Sequence, residues 1–278
     1  MTKRPLRGAL SGFLFLALTG ILLLAYLLAM VLGKRATLAV RQLWCRASAW
    51  LMGVRITVSG RPFEACPTLY IANHVSYLDI LVLGAVLDGT FIAKAEIASW
   101  PLFGLLGRLT RTLFIRRHWR AAVIQRNALA ARMRLGESFI LFGEGTSSHG
   151  LGVLPLKTSL LSVAEPWILD CPVAVQPVTL VFARLADGTP ITSDNCDLYA
   201  WYAEAEFLPH LWNALQHDGL EIRVMLADPV LSWSVKSRKV LGRELRAQLS
   251  GELTRGRVAA GAAETTQPAV ERHAAEFG

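Results

Sequence analysis

A long apolar segment without charge opens the chain. Residues 9–33 carry no acidic or basic side chain and are dense in Leu, Ile, Phe and Ala. About 20 apolar residues in a helix span the hydrocarbon core of a bilayer, so this segment predicts an N-terminal membrane helix. A cleaved signal peptide would have a shorter apolar core and a cleavage site of small residues, whereas this segment ends in Gly33-Lys34-Arg35.

The next segment, residues 38–52, mixes Trp and Arg with apolar residues. This mixture is typical of a helix in the headgroup zone of a membrane. It is equally typical of a helix that covers a folded domain, and the pattern leaves both alternatives open.

From residue 68 onward, short apolar runs alternate with longer segments of helical spacing. The short runs predict strands and the longer segments predict helices. The predicted strands cover residues 68–72, 90–93, 112–115, 138–142, 172–182 and 220–226, and the predicted helices cover residues 76–87, 119–135 and 236–253. Strands that alternate with helices indicate an α/β sandwich with a mostly buried sheet.

These patterns divide the chain into three parts. Residues 1–58 are predicted to form a membrane anchor followed by an interfacial helix, and residues 59–253 a folded domain. Residues 254–278 are rich in Ala, Gly and Glu, and we expect a disordered tail there.

The charges are unevenly distributed along the chain. Nine of the 29 Lys and Arg residues precede the first acidic residue, Glu64, and the remaining 20 are balanced by 21 acidic residues. A basic excess that flanks an apolar helix indicates attraction to an anionic membrane surface. A nucleic-acid partner would more often require a basic stripe on the folded domain, so we expect none.

The same charges predict an orientation. Six of the nine early basic residues lie between Lys34 and Arg61, on the side of the folded domain. Under the positive-inside rule this places the protein in the cell inner membrane with the folded domain facing the cytoplasm. An anchor with both ends on the cytoplasmic side fits the same charges.

The four cysteines are widely spaced, and none forms a Cys-x-x-Cys pair. This spacing argues against a disulfide framework and against a zinc site, so we expect no metal. Reduced cysteines suit a domain that faces the cytosol.

The sharpest candidate for chemistry is the pair His74 and Asp79, in the segment Asn73-His-Val-Ser-Tyr-Leu-Asp79. It lies where a predicted strand ends and a predicted helix begins, which is where open α/β sheets place their ligand crevices. The carboxylate can fold back onto one imidazole nitrogen, so that the other nitrogen acts as a general base. Taken alone, the same residues also fit a helix cap and a solvated aspartate.

Two further segments carry groups that bind anions. Residues 142–148, Phe-Gly-Glu-Gly-Thr-Ser-Ser, follow a predicted strand, and their glycines would let backbone N–H groups approach an anion. No Gly-Lys-Ser follows, so the segment is not a P-loop. Arg116 and Arg117 follow another predicted strand within a stretch of eight Arg and no acid, which suits a phosphate or carboxylate as well as a solvated basic face.

In this order, the segments resemble the motifs of the glycerophospholipid acyltransferase family. Its first motif, His-x4-Asp, is similar to His74–Asp79, and its second, Gly-x-x-Phe-Ile-x-Arg, is similar to residues 111–117. Its third, Phe-Pro-Glu-Gly-Thr-Arg-Ser, is similar to residues 142–148. Leu-Pro-Leu-Lys at 154–157 resembles the Leu-Pro-Phe-Lys that follows, and residues 172–177 resemble the fourth, proline-bearing motif.

The resemblance covers about residues 60–182 and implies an α/β domain beside an N-terminal membrane-binding helical segment. It implies an enzyme that transfers a fatty acyl group from acyl carrier protein or coenzyme A to the free hydroxyl of a lysolipid, with no bound cofactor. With 1-acyl-glycerol-3-phosphate as acceptor, the product would be phosphatidic acid.

The resemblance also implies roles for individual residues. His74 would be the base, and Asp79 would stabilise its imidazolium form. Arg117, with Arg116, would hold the acidic head of the acceptor. The remaining candidates, which would shape the same substrate pocket, are Glu144, Gly145 and Thr146.

Three positions depart from the family motifs. Arg111, Gly143 and Ser147 stand where the motifs have Gly, Pro and Arg. In the family the third-motif Arg is associated with the phosphate of the acceptor, and Arg111 or Arg116 could replace it here. Residues 144–148, 154–159, 198–202 and 208–212 are more similar to the lyso-ornithine-lipid acyltransferase branch, so lyso-ornithine lipid stays open as the acceptor.

Two other classes of function remain open from the sequence. One is a non-catalytic protein that binds acyl lipids, against which the intact His74 and Asp79 argue. The other is a hydrolase with Ser76 as nucleophile, although no Gly-x-Ser-x-Gly elbow surrounds that serine.

Overall fold

The computed structural model describes residues 3–116 and 121–262. Its helices are α1 (Pro5–Leu32), α2 (Lys34–Leu51), α3 (Leu78–Val86), α4 (Pro101–Leu109), α5 (Ala122–Arg134), α6 (Phe207–Leu215) and α7 (Arg238–Ala259). Its strands are β1 (Val54–Ser59), β2 (Thr68–Ala72), β3 (Thr90–Lys94), β4 (Leu113–Ile115), β5 (Phe139–Phe142), β6 (Ala174–Leu185), β7 (Leu220–Leu226) and β8 (Val230–Leu231).

The described strands form one mixed sheet in the order β1-β7-β6-β2-β5-β3-β4, with β8 paired to β6. Strands β2 to β6 run parallel to one another, and β7 runs antiparallel to β6. The carboxyl ends of β2, β3, β4 and β5 therefore meet at one edge of the sheet, which we call the carboxyl edge. The segments that carry the candidate chemistry all leave the sheet there.

An apolar cluster covers each face of the sheet, because alternate side chains of a strand point to opposite faces. Tyr70 and Ile140 lie in a cluster that includes residues of α2, α3 and α6. Leu69 and Phe139, their neighbours on β2 and β5, lie in a second cluster with residues of α5 and α7. All five residues of β2 are buried, as expected of a central parallel strand covered on both sides.

The two N-terminal helices pack against the body of the domain. Gly33, with φ of 96°, separates α1 from α2, and such a backbone angle favours glycine. The helix α1 is long and apolar enough to cross a membrane: its most apolar 18-residue window has a mean hydropathy of 2.6, and only 11% of that window is buried. Helix α2 lies between α1 and α3.

The predicted α/β fold is confirmed, with most predicted strands within one to three residues of the observed ones. Strands β1 and β8 and helices α4 and α6 were not predicted. Strand β1 pairs with β7 along its whole length, so the predicted boundary at residue 58 falls inside a strand of the sheet and is wrong.

The C-terminal boundary also needs correction. Helix α7 continues to Ala259, beyond the predicted end at residue 253, and Gly256 and Ala260 are buried. A tail beginning at residue 254 is therefore wrong. Residues 263–278, the rest of the predicted tail, lie outside the described residues.

Candidate active site

The turn between β2 and α3 brings His74 and Asp79 together at the carboxyl edge. β2 ends at Ala72, and Asp79 is the second residue of α3, so its carboxylate reaches back over the turn. His74 Nδ1 and Asp79 Oδ2 are 2.7 Å apart. The His74 side chain is 18% exposed and the Asp79 side chain is fully buried. The ring therefore connects a buried carboxylate to the surface.

The hydrogen bonds of Asp79 determine which nitrogen of His74 carries the proton. Asp79 Oδ2 also accepts the backbone N–H groups of Val75, at 2.7 Å, and Ser76, at 3.0 Å. This oxygen already accepts two backbone hydrogen bonds, so we assign its third hydrogen bond, to His74, as one that Nδ1–H donates. In the neutral ring, Nε2 then carries no proton and can accept one from a substrate.

Asn73 lets the chain leave the sheet before His74. Its side-chain Oδ1 accepts the backbone N–H of Leu180 at 2.7 Å, and its Nδ2 donates to the carbonyl of the same residue at 3.0 Å. The amide is buried and takes the place of a backbone unit in the ladder between β2 and β6. The backbone at Asn73 is thereby released to turn toward α3. No pattern in the sequence indicated a role for this residue.

The loop after β5 supports the same turn from the other side. Ser148 donates its backbone N–H and its hydroxyl to the carbonyl of His74, at 2.9 and 3.3 Å. Gly145 has φ of 73° and donates its N–H to the carbonyl of Phe142 at 3.0 Å, which closes a tight turn. Thr146 is exposed beside it. The face of Phe142 stacks on the His74 ring.

Glu144 is a buried carboxyl within this loop. It is 2% exposed, and its Oε1 accepts the backbone N–H of His74 at 3.4 Å. Burial raises the pKa of Glu144 to about 8 from its ordinary value of 4.5, and the nearby Asp79 carboxylate adds to the increase. The Glu144 side chain is therefore mostly neutral near pH 7, which suits a group that shapes the loop.

Arg116 and Arg111, the two candidate arginines within the described residues, lie at different edges of the sheet. Arg116 follows β4, is exposed and lies at the carboxyl edge. Three strand spacings of about 4.8 Å separate β4 from β2, so Arg116 is about 14 Å from the end of β2. Arg117 lies outside the described residues. Arg111 precedes β4 at the opposite edge and pairs with Glu137 at 2.8 Å, so the expectation that it could replace a missing head-group arginine is wrong.

Ser76 does not fit the role of a nucleophile. It is fully buried, and its Oγ has no hydrogen-bond partner within residues 3–116 and 121–262. A nucleophilic serine needs an exposed hydroxyl that is hydrogen-bonded to its base. Within the same ranges, no cluster of three or more His, Cys, Asp or Glu residues could hold a metal ion.

Comparison with known proteins places this geometry in a family. Residues 55–181 match the family model described as "Acyltransferase", a segment that contains His74, Asp79 and the loop after β5. A protein of Rhizobium meliloti is 34% identical over 95% of this chain and 92% of its own length. The chain belongs to the acyltransferase family.

The most similar relatives of this acyltransferase have two kinds of names. The Rhizobium meliloti protein and a Brucella abortus protein, which is 37% identical over 72% of this chain and 76% of its own, are named lyso-ornithine lipid O-acyltransferases. A Neisseria meningitidis protein, 36% identical over 59% of this chain and 62% of its own, is named 1-acyl-sn-glycerol-3-phosphate acyltransferase.

A solved structure confirms the fold of this acyltransferase. The 1-acyl-sn-glycerophosphate acyltransferase of Thermotoga maritima aligns over 94% of this chain and 96% of its own, with a TM-score of 0.67. At 18% identity, this likeness concerns the fold alone.

Proposed function

We propose that this acyltransferase moves a fatty acyl group from acyl carrier protein or coenzyme A to the free hydroxyl of lyso-ornithine lipid. The observation that carries the chemistry is the hydrogen bond between His74 Nδ1 and the buried Asp79, which leaves Nε2 as a base at the carboxyl edge. The Brucella abortus and Rhizobium meliloti relatives, which match 72% and 95% of this chain, support the choice of acceptor because both are named lyso-ornithine lipid O-acyltransferases.

In the proposed reaction His74 Nε2 takes the proton of the acceptor hydroxyl as its oxygen attacks the thioester carbonyl. The new C–O bond forms, the C–S bond breaks, and the imidazolium returns the proton to the departing thiolate. Asp79 stabilises the imidazolium through Nδ1–H and does not itself accept the proton. No protein nucleophile is needed, which agrees with the burial of Ser76.

The acceptor head would lie between the loop after β5 and the end of β4. We propose that Arg117, with Arg116, binds its anionic group and that Glu144, Gly145 and Thr146 shape the pocket. The head of lyso-ornithine lipid carries a carboxylate and an ammonium, whereas lysophosphatidic acid carries a phosphate. Ser147, in place of the family arginine, leaves one fewer cation in this loop and suits the head with the smaller negative charge.

Lysophosphatidic acid is the second candidate acceptor. The Neisseria meningitidis relative supports this acceptor, because it is named 1-acyl-sn-glycerol-3-phosphate acyltransferase and is similar to 59% of this chain. Exposed Arg116 at the carboxyl edge is compatible with a phosphate as well as with a carboxylate.

The N-terminal helix indicates where the reaction occurs. We propose that α1 anchors the enzyme in the cell inner membrane, with the catalytic domain on the cytoplasmic side. The basic residues on both flanks of α1 and its exposed apolar side chains support this location.

The acceptor is tested with the purified enzyme in phospholipid vesicles. Each lysolipid is supplied in turn with a radiolabelled acyl thioester, carried first on acyl carrier protein and then on coenzyme A, and the acylated product is counted. We expect faster transfer to lyso-ornithine lipid than to lysophosphatidic acid. The Ser147→Arg variant should shift the preference toward lysophosphatidic acid.

A matched control is Ser234→Arg, an exposed serine after β8, which pairs with the start of β6 at the edge opposite the carboxyl edge. It adds the same charge and should leave the preference unchanged. Transfer to lysophosphatidic acid alone would assign the enzyme to the second acceptor. Transfer to neither lysolipid would refute the proposal.

A further inference from the structure

Phe142 forms a face-to-face contact with the proposed base. The centroids of the His74 and Phe142 rings are 3.9 Å apart, and the ring planes are 13° from parallel. On β5, Phe142 is the last residue before the loop that contains Glu144. In the sequence, Phe142 stands out only as the first residue of the motif at residues 142–148.

The position of Phe142 is fixed by the sheet. Phe142 lies opposite Ala72 in the register of β5 and β2, and Gly143 N–H donates to the carbonyl of Ala72 at 2.9 Å. Phe91 stacks behind Phe142, with centroids 6.2 Å apart and planes at 26°. The phenyl ring is therefore held from behind and by its own strand while it contacts His74.

The contact constrains a movement that Asp79 leaves free. The hydrogen bond at Nδ1 fixes one atom of the imidazole, but a single hydrogen bond allows the ring plane to tilt about it. A phenyl face at stacking distance restricts that tilt, and therefore the direction in which Nε2 points. The negative face of the aromatic ring also attracts a cation, so the contact favours the imidazolium that forms during transfer.

We infer that Phe142 is a positioning residue for the acyl transfer, which holds the plane of the His74 ring and stabilises its imidazolium form. This inference rests on the proposed role of His74 as the base. Phe142 itself exchanges no proton and forms no bond with the substrate.

The test compares steady-state transfer by the wild type, Phe142→Leu and Phe142→Tyr across pH 5–9. Cation–π contacts correspond to roughly 2- to 30-fold in an equilibrium or rate. We expect Phe142→Leu to lower kcat within that range, with less effect on KM. The acidic limb of its pH–rate profile should move to lower pH, because the imidazolium has lost a favourable contact. Phe142→Tyr keeps the aromatic face and should retain the position of the limb.

The matched control is Phe139→Leu, on the same strand but in the cluster on the opposite face. It removes the same atoms from β5 without touching His74, so its acidic limb should stay in place even if the protein becomes less stable. The inference would be overturned if the acidic limb of the pH–rate profile lay at the same pH for Phe142→Leu and the wild type. It would also be overturned if Phe139→Leu and Phe142→Leu shifted that limb by the same amount.

His74→Ala, measured in the same assay, separates the inference from the proposed function. Substantial turnover by that variant would refute the base itself. An inactive His74→Ala variant together with an unaltered Phe142→Leu variant would refute only the role of Phe142.

Discussion

Glu144 shows how burial changes one residue of the site. Folding raises its pKa from 4.5 to about 8, so the native state holds this proton more tightly than the unfolded chain does. The contribution of Glu144 to the free energy of unfolding is therefore most favourable below about pH 4.5. It decreases as pH rises toward 8.

The first prediction concerns Glu144→Gln, which keeps an oxygen for the His74 N–H and cannot ionise. The difference in the free energy of unfolding, variant minus wild type, should become more positive between pH 5 and pH 8. This difference in the free energy of unfolding should change by a few kcal/mol, because each unit of pKa shift corresponds to about 1.4 kcal/mol. Urea unfolding in detergent at several pH values measures it. If the difference in the free energy of unfolding did not change with pH, the Glu144 carboxyl could not be buried in its neutral form.

The second prediction concerns Asn73→Ala. The substitution leaves the buried N–H and carbonyl of Leu180 without the partners that Asn73 supplies. Each buried group without a hydrogen bond costs about 1–3 kcal/mol. We expect the free energy of unfolding to fall by about 2–6 kcal/mol and transfer to slow, because the turn that carries His74 loosens. Asn127→Ala, on the exposed face of α5, should change stability by less than about 0.5 kcal/mol. Equal effects of the two substitutions would contradict the assigned role of Asn73.

The third prediction concerns Arg117→Lys. A guanidinium binds a carboxylate or phosphate through two parallel hydrogen bonds, which an ammonium cannot reproduce. Losing one charge-assisted contact costs about 1.5–3 kcal/mol, so the KM for the acceptor should rise about tenfold or more with little change in kcat. Arg126→Lys on α5 is the control. Kinetics with varied acceptor and saturating donor would reject the assignment if the acceptor KM stayed the same.

Among the strands and helices, sequence patterns were informative where burial was either uniform or regularly alternating. β2 and β7 were predicted with their observed bounds, because β2 is a short apolar run and β7 is a segment in which buried apolar positions alternate with half-buried ones. β1 was missed because this edge strand buries little of its surface, and its residues include Arg, Thr and Ser. α4 was missed because it is short and contains two glycines.

The site was predictable only in part, for a related reason. The spacing of His74 and Asp79 is local and is visible in the sequence. The contact of Asn73 with Leu180 joins residues 107 positions apart, and the stacking of Phe142 on His74 depends on the register of β5 against β2. Neither contact can be inferred from the sequence without the sheet.

The contacts of α1 favour a helix that lies along the domain rather than one that leaves it. Near its start, Arg4 pairs with Asp218 at 2.9 Å. Near its end, Tyr26 donates its hydroxyl to the carbonyl of Leu109 in α4 at 3.0 Å. These two contacts are about 33 Å apart along the helix, roughly the thickness of a bilayer core. If α1 crossed the membrane, the catalytic domain beside it would have to lie in the lipid as well.

Exposed apolar side chains on neighbouring helices support the same orientation. Trp50 of α2 is 75% exposed, and Leu208 of α6 is 71% exposed. Both helices pack against α1. Together with α1, they suit a surface that rests in the interfacial zone of one leaflet.

The fourth prediction follows from this orientation. Lys3→Cys and Arg35→Cys flank α1, and each is made in a background with Cys66→Ser and Cys171→Ser. A membrane-impermeant maleimide added to sealed inside-out vesicles should label both positions. Lys239→Cys at the start of α7 marks the side of the catalytic domain. Labelling of the two flanking positions from opposite sides would show that α1 spans the membrane.

The whole molecule combines a basic, apolar N-terminal region with a nearly neutral catalytic domain. The carboxyl edge of the sheet gathers the proposed base, its carboxylate and the loop after β5, while α1 and α2 pack beside the same domain. In the proposed orientation, a lysolipid would reach His74 from the membrane and a soluble thioester would approach from the cytoplasm.

The central claim is that His74 is the base for acyl transfer. The most direct measurement is the rate of labelled acyl transfer to lyso-ornithine lipid by His74→Ala, with the folded fraction checked by thermal unfolding. Asp170→Asn, an exposed carboxylate at the opposite edge of the sheet, is the control and should keep the wild-type rate. We expect His74→Ala to fold and to lose transfer by a factor of about 100 or more, as is usual when a general base is removed. A folded His74→Ala enzyme with a rate near that of the wild type would contradict it.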